Sequence, residues 1–422
     1  MKISVLIDGE NYLYEEFLNA GTSIDYQLIF NSEHLTRAEF WNSCFDCIES
    51  DYVLFLNPEI IFSKNALEIM LQTLEEDESI GAVGPYVNHS YFGKQEGFLK
   101  YDSVESMQFT AKIFESQKSK NARLENFLEG ECLLARKLVL DRIKSFDGEL
   151  VNSRLTQKIF ESLSLSFKIW LNGFKIKIVP THVHLDSPII VDEDEKIIDN
   201  EILNEELGFD WKYSTFHRPE LVALIENRKR SLEILDVGCS AGGILLEIQN
   251  QIPNANLFGI DIDFCAMKFA ALFGNTAVVD IEKFAPSDWH EKFDYIICSD
   301  VLEHLQDPLA AMKNMRELLK PTGYLIANMP NVLYIQTLHE NLHGNFESDE
   351  KAVLDHTRIQ FFRMDTIQKM LFSIGLSGEL FPLKIFTDDK YEKLSRILST
   401  RFGIPNYYHT TFQWCIRVKK SY

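Results

Sequence analysis

A glycine-rich turn in the second half of the chain carries the strongest chemical signal in the sequence. Gly238 and Gly242 lie between an apolar run, 232–237, and a helical pattern. Such a turn lets the backbone approach a ligand closely. Asp261 ends the next apolar run, about twenty residues downstream, where an acid can bind the hydroxyl groups of a ribose. The spacing therefore predicts a nucleoside site.

Two other interpretations of this turn are weaker. Residues 238–242 also fit the G-x-S-x-G elbow of serine hydrolases, but an elbow normally follows several strands, whereas this turn follows the first strand of its region. A dinucleotide site would require a second glycine beside the pyrophosphate, where Ser240 stands. A ligand without phosphates therefore fits best.

Strand-like and helix-like segments alternate after residue 210. Apolar runs that are typical of buried strands occupy 232–237, 257–260, 277–279, 295–298 and 324–327. Amphipathic segments separate them, and this alternation predicts a parallel sheet with helices on both faces. The second half of the chain is therefore expected to be an α/β domain.

From Tyr213 to Lys419 the chain resembles the class I S-adenosylmethionine-dependent methyltransferases of the ubiquinone-biosynthesis O-methyltransferase type. The similar segments are 235–242, 259–263, 279–282, 293–305 and 319–324. Two further segments, 329–332 and 355–362, resemble relatives encoded with bacterial surface-glycan genes. The resemblance implies a Rossmann-like domain with a seven-stranded mixed sheet and S-adenosylmethionine as the cofactor.

The resemblance also assigns roles to individual residues. The residues expected to bind the cofactor are Tyr213, Arg218, Asp236, Gly238, Ser240, Gly242, Asp261, Ile262, Asp280, Ile281 and Ser299. Asp236 would lie against the methionine moiety, Asp261 would bind the ribose hydroxyls, and Asp280 would lie beside adenine. Tyr213 and Arg218 are expected to close over the cofactor.

Methyl transfer needs little covalent help, because holding the acceptor and the methyl group in place supplies most of the rate. A hydroxyl acceptor must also lose a proton, and histidine is the usual base near neutral pH. His304 and His356 are the candidates, although each could instead be a packing histidine at the pocket rim. Glu303 would either orient His304 or be a solvated residue in the first turn of a helix. His339 and His343 lack an evident third ligand, so no metal is expected here.

The first 186 residues resemble family 2 glycosyltransferases. The similar segments are 38–43, 51–59, 84–85, 130–136, 146–148 and 173–180. The resemblance implies an abbreviated GT-A-like α/β domain in which Asn57, Glu59 and His184 are the remnant of a Mg²⁺ or Mn²⁺ site. Two departures predict that sugar transfer is lost: the segment before residue 38 is short, and 161–165 has serines where relatives carry acids. The fold would then serve acceptor binding or assembly.

Length and composition limit the remaining choices. A chain of 422 residues predicts two domains, here 1–186 and 211–422, joined by an acidic and partly helical linker, 187–210. The net charge of −21 disfavours nucleic acid as a partner. Seven scattered cysteines suit a reducing compartment, and no uncharged run is long enough for a transmembrane segment. A cytoplasmic protein is expected.

The sequence therefore favours a methyltransferase that modifies a sugar hydroxyl of a bacterial surface glycan or its precursor. The expected partner is a carbohydrate or another small-molecule acceptor, and the sugar assignment rests on analogy of fold. A bifunctional glycosyltransferase and methyltransferase, a methyltransferase acting on a small aromatic or quinone acceptor, and a non-catalytic glycan-binding scaffold remain as alternatives.

Overall fold

A computed structural model of the protein describes residues 2–9, 24–97, 100–115, 122–343, 358–385 and 388–421. The chain divides into two compact units, Met1–Trp211 and Lys212–Tyr422. Within the described ranges, no helix combines the length and the apolar character needed to cross a membrane.

The first unit is built on an eight-stranded mixed sheet. Its strands are β1 (Lys2–Ile7), β2 (Asp25–Phe30), β3 (Tyr52–Leu56), β4 (Ile60–Phe62), β5 (Ile80–Val87), β6 (Arg123–Leu124), β7 (Cys132–Arg136) and β8 (Lys175–Leu185). The order is β2-β1-β3-β7-β5-β8-β4, with β6 paired to β8. Strand β1 is parallel to β2 and β3, whereas β7 is antiparallel to both of its neighbours.

The described part of the first unit also contains six α-helices. They are α1 (Arg37–Cys44), α2 (Ala66–Glu76), α3 (Val104–Glu115), α4 (Lys137–Asp147), α5 (Lys158–Leu171) and α6 (Glu193–Leu207). Helix α1 begins in a capping box, in which the Thr36 side chain and the Glu39 side chain satisfy each other's backbone N–H groups. Helix α5 is buried along almost its whole length.

The segment predicted to be a linker, 187–210, is largely a helix that packs within the first unit. Asp192 caps α6 by accepting the N–H groups of Asp194 and Glu195, and acids in a first helical turn are favourable. Asp199 is fully buried and accepts the backbone N–H of Gln157 at 2.6 Å. The expected helical content of this segment is confirmed, and its acids cap the helix and pack it within the first unit.

The second unit contains a seven-stranded mixed sheet, as predicted. Its strands are β9 (Glu233–Val237), β10 (Asn256–Asp261), β11 (Asn275–Val278), β12 (Phe293–Ser299), β13 (Leu319–Pro330), β14 (Leu376–Ile385) and β15 (Thr411–Lys420). The order is β11-β10-β9-β12-β13-β15-β14. Strands β9 to β13 are parallel, and β15 is antiparallel to β13 and β14.

Helices accompany the strands of the second unit in the expected alternation. They are α7 (Trp211–Ser214), which crosses the division between the units, α8 (Pro219–Val222), α9 (Gly243–Gln251), α10 (Phe264–Ala270), α11 (Pro308–Leu318), α12 (Ile335–Leu342), α13 (Met364–Ser373), α14 (Glu392–Phe402) and α15 (Asn406–Thr410). The central strands β9, β12 and β13 are buried, because continuous apolar runs suit a sheet that is covered on both faces.

The strand order reverses between β9 and β12, which lie side by side although two other strands separate them in sequence. The connections of β9 and β12 leave in opposite directions at such a point, so a crevice opens at the carboxyl ends of the strands. Nine of the eleven predicted cofactor residues lie at the ends of β9, β10 and β12 or shortly after β9, β10 and β11, whereas Tyr213 and Arg218 precede β9.

Candidate functional site

The turn between β9 and α9 requires glycine for two physical reasons. Gly238 and Gly242 have left-handed backbones, with φ of +72° and +87°. A Cβ atom on Gly238 would lie 2.2 Å from Cγ2 of Val301, which is too close for any side chain. The backbone N–H of Gly238 is held by the carbonyl of Ile260 at 2.8 Å, so the turn is fixed against the end of β10.

Ser240 stands in the middle of this glycine-rich turn. Its φ is +45°, a left-handed conformation that costs a residue with a side chain ~1–2 kcal/mol. The backbone N–H of Ser240 donates to Oδ2 of Asp261 at 2.8 Å. The turn therefore holds Ser240 in a conformation that glycine adopts more readily, and the hydrogen bond to Asp261 fixes it there.

Asp261 joins the turn to the end of β10. Its Oδ1 accepts the backbone N–H of Asp263 at 2.9 Å, and its Oδ2 accepts Ser240. Each carboxylate oxygen has a second lone pair, so both can still accept a hydroxyl group. The neighbouring Ile262 side chain is 74% exposed and therefore does not belong to the core.

Asp236 is the most unusual polar group of this edge. Its side chain is 1% exposed, and neither carboxylate oxygen has a hydrogen-bond partner among the described residues. Burial, and then the charge of Asp261, raise the pKa of the Asp236 carboxyl well above its usual range. A buried acid without a partner is costly, and a cationic ligand would remove that cost. S-adenosylmethionine carries a sulfonium and an ammonium group, so the site fits this cofactor.

The residues expected near adenine follow the ends of β11 and β12. Asp280 accepts the Lys283 ammonium at 2.7 Å, and this hydrogen bond holds the pKa of its carboxyl below the usual range. Ile281 is only 5% exposed and packs in the core of the unit. The Ser299 hydroxyl donates to Oδ2 of Asp300 at 3.0 Å.

The segment 213–218, predicted to close over the cofactor, lies against the start of α9. A Cβ atom on Gly243 would come within 2.5 Å of the backbone oxygen of Phe216, so glycine permits this close approach. The Tyr213 hydroxyl donates to the backbone carbonyl of Asp300 at 3.4 Å, and Arg218 forms an ion pair with the Asp300 carboxylate. The structure therefore brings Tyr213 and Arg218 to the carboxyl edge of β12.

Asp300 is the centre of a polar network that the sequence did not reveal. It is buried, with a left-handed backbone, φ +52°, and accepts hydrogen bonds from four side chains: Arg218, Ser299, Asn328 at 3.0 Å and Gln413 at 2.8 Å. Asn328 and Gln413 are 28 and 113 residues away in sequence. Only the pairing of β12, β13 and β15 brings them together.

Glu303 and His304 lie in a 3₁₀ turn, Leu302–His304, before α11 begins at Pro308. The interpretation of Glu303 as a solvated residue in the first turn of a helix is wrong, because its side chain is fully buried. Burial, and then the charge of Asp300, raise the pKa of Glu303 to about 8. His304 is half-buried beside it. His356, the other candidate base, lies outside the described residues.

The predicted metal remnant of the first unit has other contacts. The Asn57 amide nitrogen donates to Glu131, and its amide oxygen accepts the backbone N–H of Glu59 at 2.8 Å. His184 is buried and contacts Asp186 at 3.2 Å. The parts of the chain that the structure describes contain no group of three His, Cys, Asp or Glu residues arranged to hold a metal ion.

Comparison with known proteins identifies part of the second unit. Residues 212–379 match a family model described as a methyltransferase domain. The ubiquinone biosynthesis O-methyltransferase of Histophilus somni is 37% identical over 109 residues, which are 24% of this chain and 45% of that protein. The chain therefore spans less than half the length of this relative.

Two further similarities cover more of the second unit. Malonyl-[acyl-carrier protein] O-methyltransferase 2 of Ilyobacter polytropus is 28% identical over 203 residues, 42% of this chain and 77% of that protein. A solved SAM-dependent methyltransferase from Archaeoglobus fulgidus is 18% identical, with a TM-score of 0.38, over 52% of this chain and 99% of that chain. The family match alone carries the conclusion that residues 212–379 are a methyltransferase domain.

Proposed function

We propose that the chain uses its class I S-adenosylmethionine-dependent methyltransferase domain to methylate a sugar hydroxyl of a bacterial surface glycan or its precursor. The observation that carries the proposal is the buried carboxyl of Asp236, which has no hydrogen-bond partner among the described residues and stands beside the glycine turn. Its position at a reversal of strand order supports a ligand site at this edge.

Each residue of the edge has a role in this proposal. When bound, the cofactor supplies a methyl group on a positively charged sulfur. Asp236 would provide the opposite charge, and Asp261 would accept the two ribose hydroxyls through its remaining lone pairs. Asp280 and Ile281 would lie beside adenine, while Arg218, held by Asp300, would keep the segment 213–218 over the site.

The acceptor hydroxyl must lose its proton, and His304 or His356 would take it. Glu303 is a poor candidate for this step near neutral pH, because burial raises its pKa to about 8 and keeps it protonated. A protonated Glu303 can still donate a hydrogen bond, so it would orient a neighbouring group and not act as the base.

Two acceptor classes are supported to different degrees. The segments 329–332 and 355–362 resemble methyltransferases encoded with surface-glycan genes, which favours a sugar hydroxyl. The second candidate is a hydroxyl of a small aromatic or quinone-like molecule, because the similar Histophilus somni protein is named for ubiquinone biosynthesis. Both classes require the same deprotonation, so the edge residues do not discriminate between them.

For the first unit we propose a GT-A-like fold that binds carbohydrate but does not transfer sugars. Asn57, at the place of a metal-binding acid, is engaged by Glu131 and Glu59. Ser162 stands at the place of a catalytic acid. It packs so closely on Gly130 that a Cβ atom built on Gly130 would lie 1.6 Å from Oγ of Ser162. A larger acidic side chain at 162 would not fit in this arrangement.

Incubation of the full-length chain with S-adenosylmethionine and two acceptor panels tests the proposal. One panel holds nucleotide sugars and surface oligosaccharides, and the other holds catechols and quinols. We expect release of S-adenosylhomocysteine and a mass gain of one methyl group with a sugar. Methylation of the aromatic panel alone would overturn the sugar assignment. Metal-dependent release of a nucleoside diphosphate would establish the bifunctional alternative, and failure to bind the cofactor would leave only a scaffold.

A further inference from the structure

Asp300, which directly follows β12, contacts three of the residues that are expected to bind the cofactor. The Tyr213 hydroxyl donates to the backbone carbonyl of Asp300 at 3.4 Å. Oδ2 of Asp300 accepts the Ser299 hydroxyl at 3.0 Å and pairs with the Arg218 guanidinium. Tyr213 and Arg218 precede β9, whereas Ser299 ends β12. Asp300 therefore joins two parts of the expected cofactor site that are distant in sequence.

The other carboxylate oxygen of Asp300 is held by the strands on the far side of β12. Oδ1 accepts the Asn328 amide of β13 at 3.0 Å and the Gln413 amide of β15 at 2.8 Å. Both amide side chains are buried. Oδ2 thus serves the cofactor residues, and Oδ1 anchors the carboxylate to the sheet. A side chain that is locked from behind in this way can hold its partners in one geometry before a ligand binds.

The two partners of the central ion pair both have unfavourable backbones. Arg218 and Asp300 lie in the left-handed region, with φ of +46° and +52°. Aspartate tolerates this region, but a long side chain such as that of arginine seldom adopts it. Strained residues persist only where the surrounding structure holds them, and they cluster at ligand sites. The strain therefore points to a functional role for this ion pair beyond packing.

A second buried acid, at the opposite end of β12, provides an internal comparison. Asp294 and Asp300 are 8% and 7% exposed. Asp294 accepts the Lys320 ammonium at 2.7 Å and the backbone N–H of Glu233 at 3.0 Å. In the described part of the chain, none of its hydrogen-bond partners is a residue expected to bind the cofactor. It lies at the amino end of the strand, away from the edge where α/β sheets bind ligands.

We propose that Asp300 is a positioning residue of the methyltransferase domain: it holds Arg218 and Ser299 in the geometry that binds S-adenosylmethionine, and β13 and β15 fix its direction. Asp300 acts through these partners and does not itself touch the reacting atoms. The inference rests on the placement of the cofactor in the proposed function. It does not depend on which acceptor is methylated.

Asp300→Asn in the full-length protein tests the inference. Asparagine tolerates the left-handed backbone, so the variant keeps the shape of the residue but replaces one carboxylate oxygen by a donor. Calorimetric titration should show about tenfold weaker binding of S-adenosylmethionine, because charge-assisted hydrogen bonds that hold its binding residues are lost. Turnover at saturating cofactor should change less than about threefold, since the reacting atoms are not touched.

Asp294→Asn is the matched control, because it also removes a buried carboxylate of β12 that is paired with cations. Thermal unfolding should show a loss of stability in both variants. Only Asp300→Asn should bind the cofactor more weakly. If Asp294→Asn weakens cofactor binding as much, the effect comes from a less stable strand and the inference is wrong.

Gln413→Met is a milder variant that tests the same inference if Asp300→Asn does not fold. It keeps the length of the side chain and removes one donor to Oδ1 of Asp300. We expect about threefold weaker cofactor binding from this change alone and no further loss when it is added to Asp300→Asn, because both changes act through one carboxylate. Unchanged affinity in Gln413→Met, or losses that simply add in the double variant, would contradict the inference.

The parent protein separates failure of the inference from failure of the proposed function. If the parent binds S-adenosylmethionine and a folded Asp300→Asn binds it equally well, Asp300 is a structural residue only, and the proposed function stands. If the parent does not bind S-adenosylmethionine, the cofactor placement in the proposed function is wrong, and the inference falls with it.

Discussion

Asp236 in the second unit and Glu161 in the first are equally buried acids in opposite electrostatic surroundings. Each side chain is 1% exposed. Glu161 has the Arg37 guanidinium at 4.0 Å and the backbone N–H of Ala38 at 2.9 Å. Asp236 has no hydrogen-bond partner among the described residues, and its charged neighbour is another acid, Asp261. One acid is compensated within the protein, and the other is not.

The pKa directions follow from this difference. Burial raises the pKa of both carboxyls; Arg37 opposes the rise in Glu161 and leaves it at about 7, whereas Asp261 reinforces the rise in Asp236. The charge that a site leaves uncompensated determines the charge of the ligand that it can accept. By this argument the uncompensated carboxyl of Asp236 suits a cationic ligand.

The largest expected effect belongs to Asp261. Asp261→Ala should weaken binding of S-adenosylmethionine more than about a hundredfold, because two hydroxyl-to-carboxylate hydrogen bonds are lost at a desolvated site. Isothermal titration calorimetry measures the affinity. Asp288→Ala, an exposed acid of the same unit, is the control and should change nothing. Unchanged affinity in Asp261→Ala would mean that the ribose hydroxyls do not bind Asp261.

Removal of the general base is expected to have the next largest effect. His304→Ala or His356→Ala should lower turnover by about a hundredfold while cofactor affinity stays nearly constant, because a positioned base contributes that much to proton transfer. Initial rates at saturating cofactor measure it, with the exposed His290→Ala as the control. If both alanine variants keep the parental rate, positioning alone suffices and neither histidine is the base.

Local signals made much of the second unit predictable. The first two apolar runs, the glycine turn and Asp261 lie within about thirty residues of one another, and short-range pattern and turn chemistry determine such elements. All five predicted strands overlap observed ones.

Features that depend on distant contacts were not predictable. For Glu303 the sequence left two interpretations open, a residue that orients His304 and a solvated residue, and only its burial in the 3₁₀ turn near Asp300 excludes the second. The Asp300 network needs Gln413, 113 residues away. The segment 187–210 was interpreted as a linker from its acidity, and only the burial of Asp199 reveals that it packs. Tertiary contacts override local pattern in each case.

Proton release on cofactor binding tests whether the Asp236 carboxyl lacks a compensating charge in the free protein. A bound cation lowers its raised pKa, so binding should release up to about one proton, and affinity should rise with pH until the pKa of the free protein is passed. Calorimetry in buffers of different ionisation enthalpy counts the protons. Asp236→Asn should bind about tenfold more weakly and release none. If proton release persists in Asp236→Asn, another group releases the proton.

The same pKa rise has a consequence for the stability of the cofactor-free protein. Because the folded pKa of Asp236 exceeds the unfolded value of about 3.9, its contribution is fully present below that value and is lost as the pH rises through the folded pKa. Thermal unfolding without cofactor should therefore show a pH-dependent loss of stability that Asp236→Asn lacks. Equal slopes in the two proteins would contradict the assignment.

The smallest expected effect concerns salt. S-adenosylmethionine binds as a cation to a chain of net charge −21, so its affinity should fall several-fold when the salt is raised from about 50 to about 500 mM. Calorimetric titrations at the two salt concentrations on one protein preparation measure the difference. Because the Asp236 carboxyl is buried, its share of the attraction is screened less than that of the exposed acids, so Asp236→Asn should keep a similar salt dependence at a lower affinity. An affinity of the parent protein that does not change with salt would mean that the negative charge of the chain does not contribute to cofactor binding.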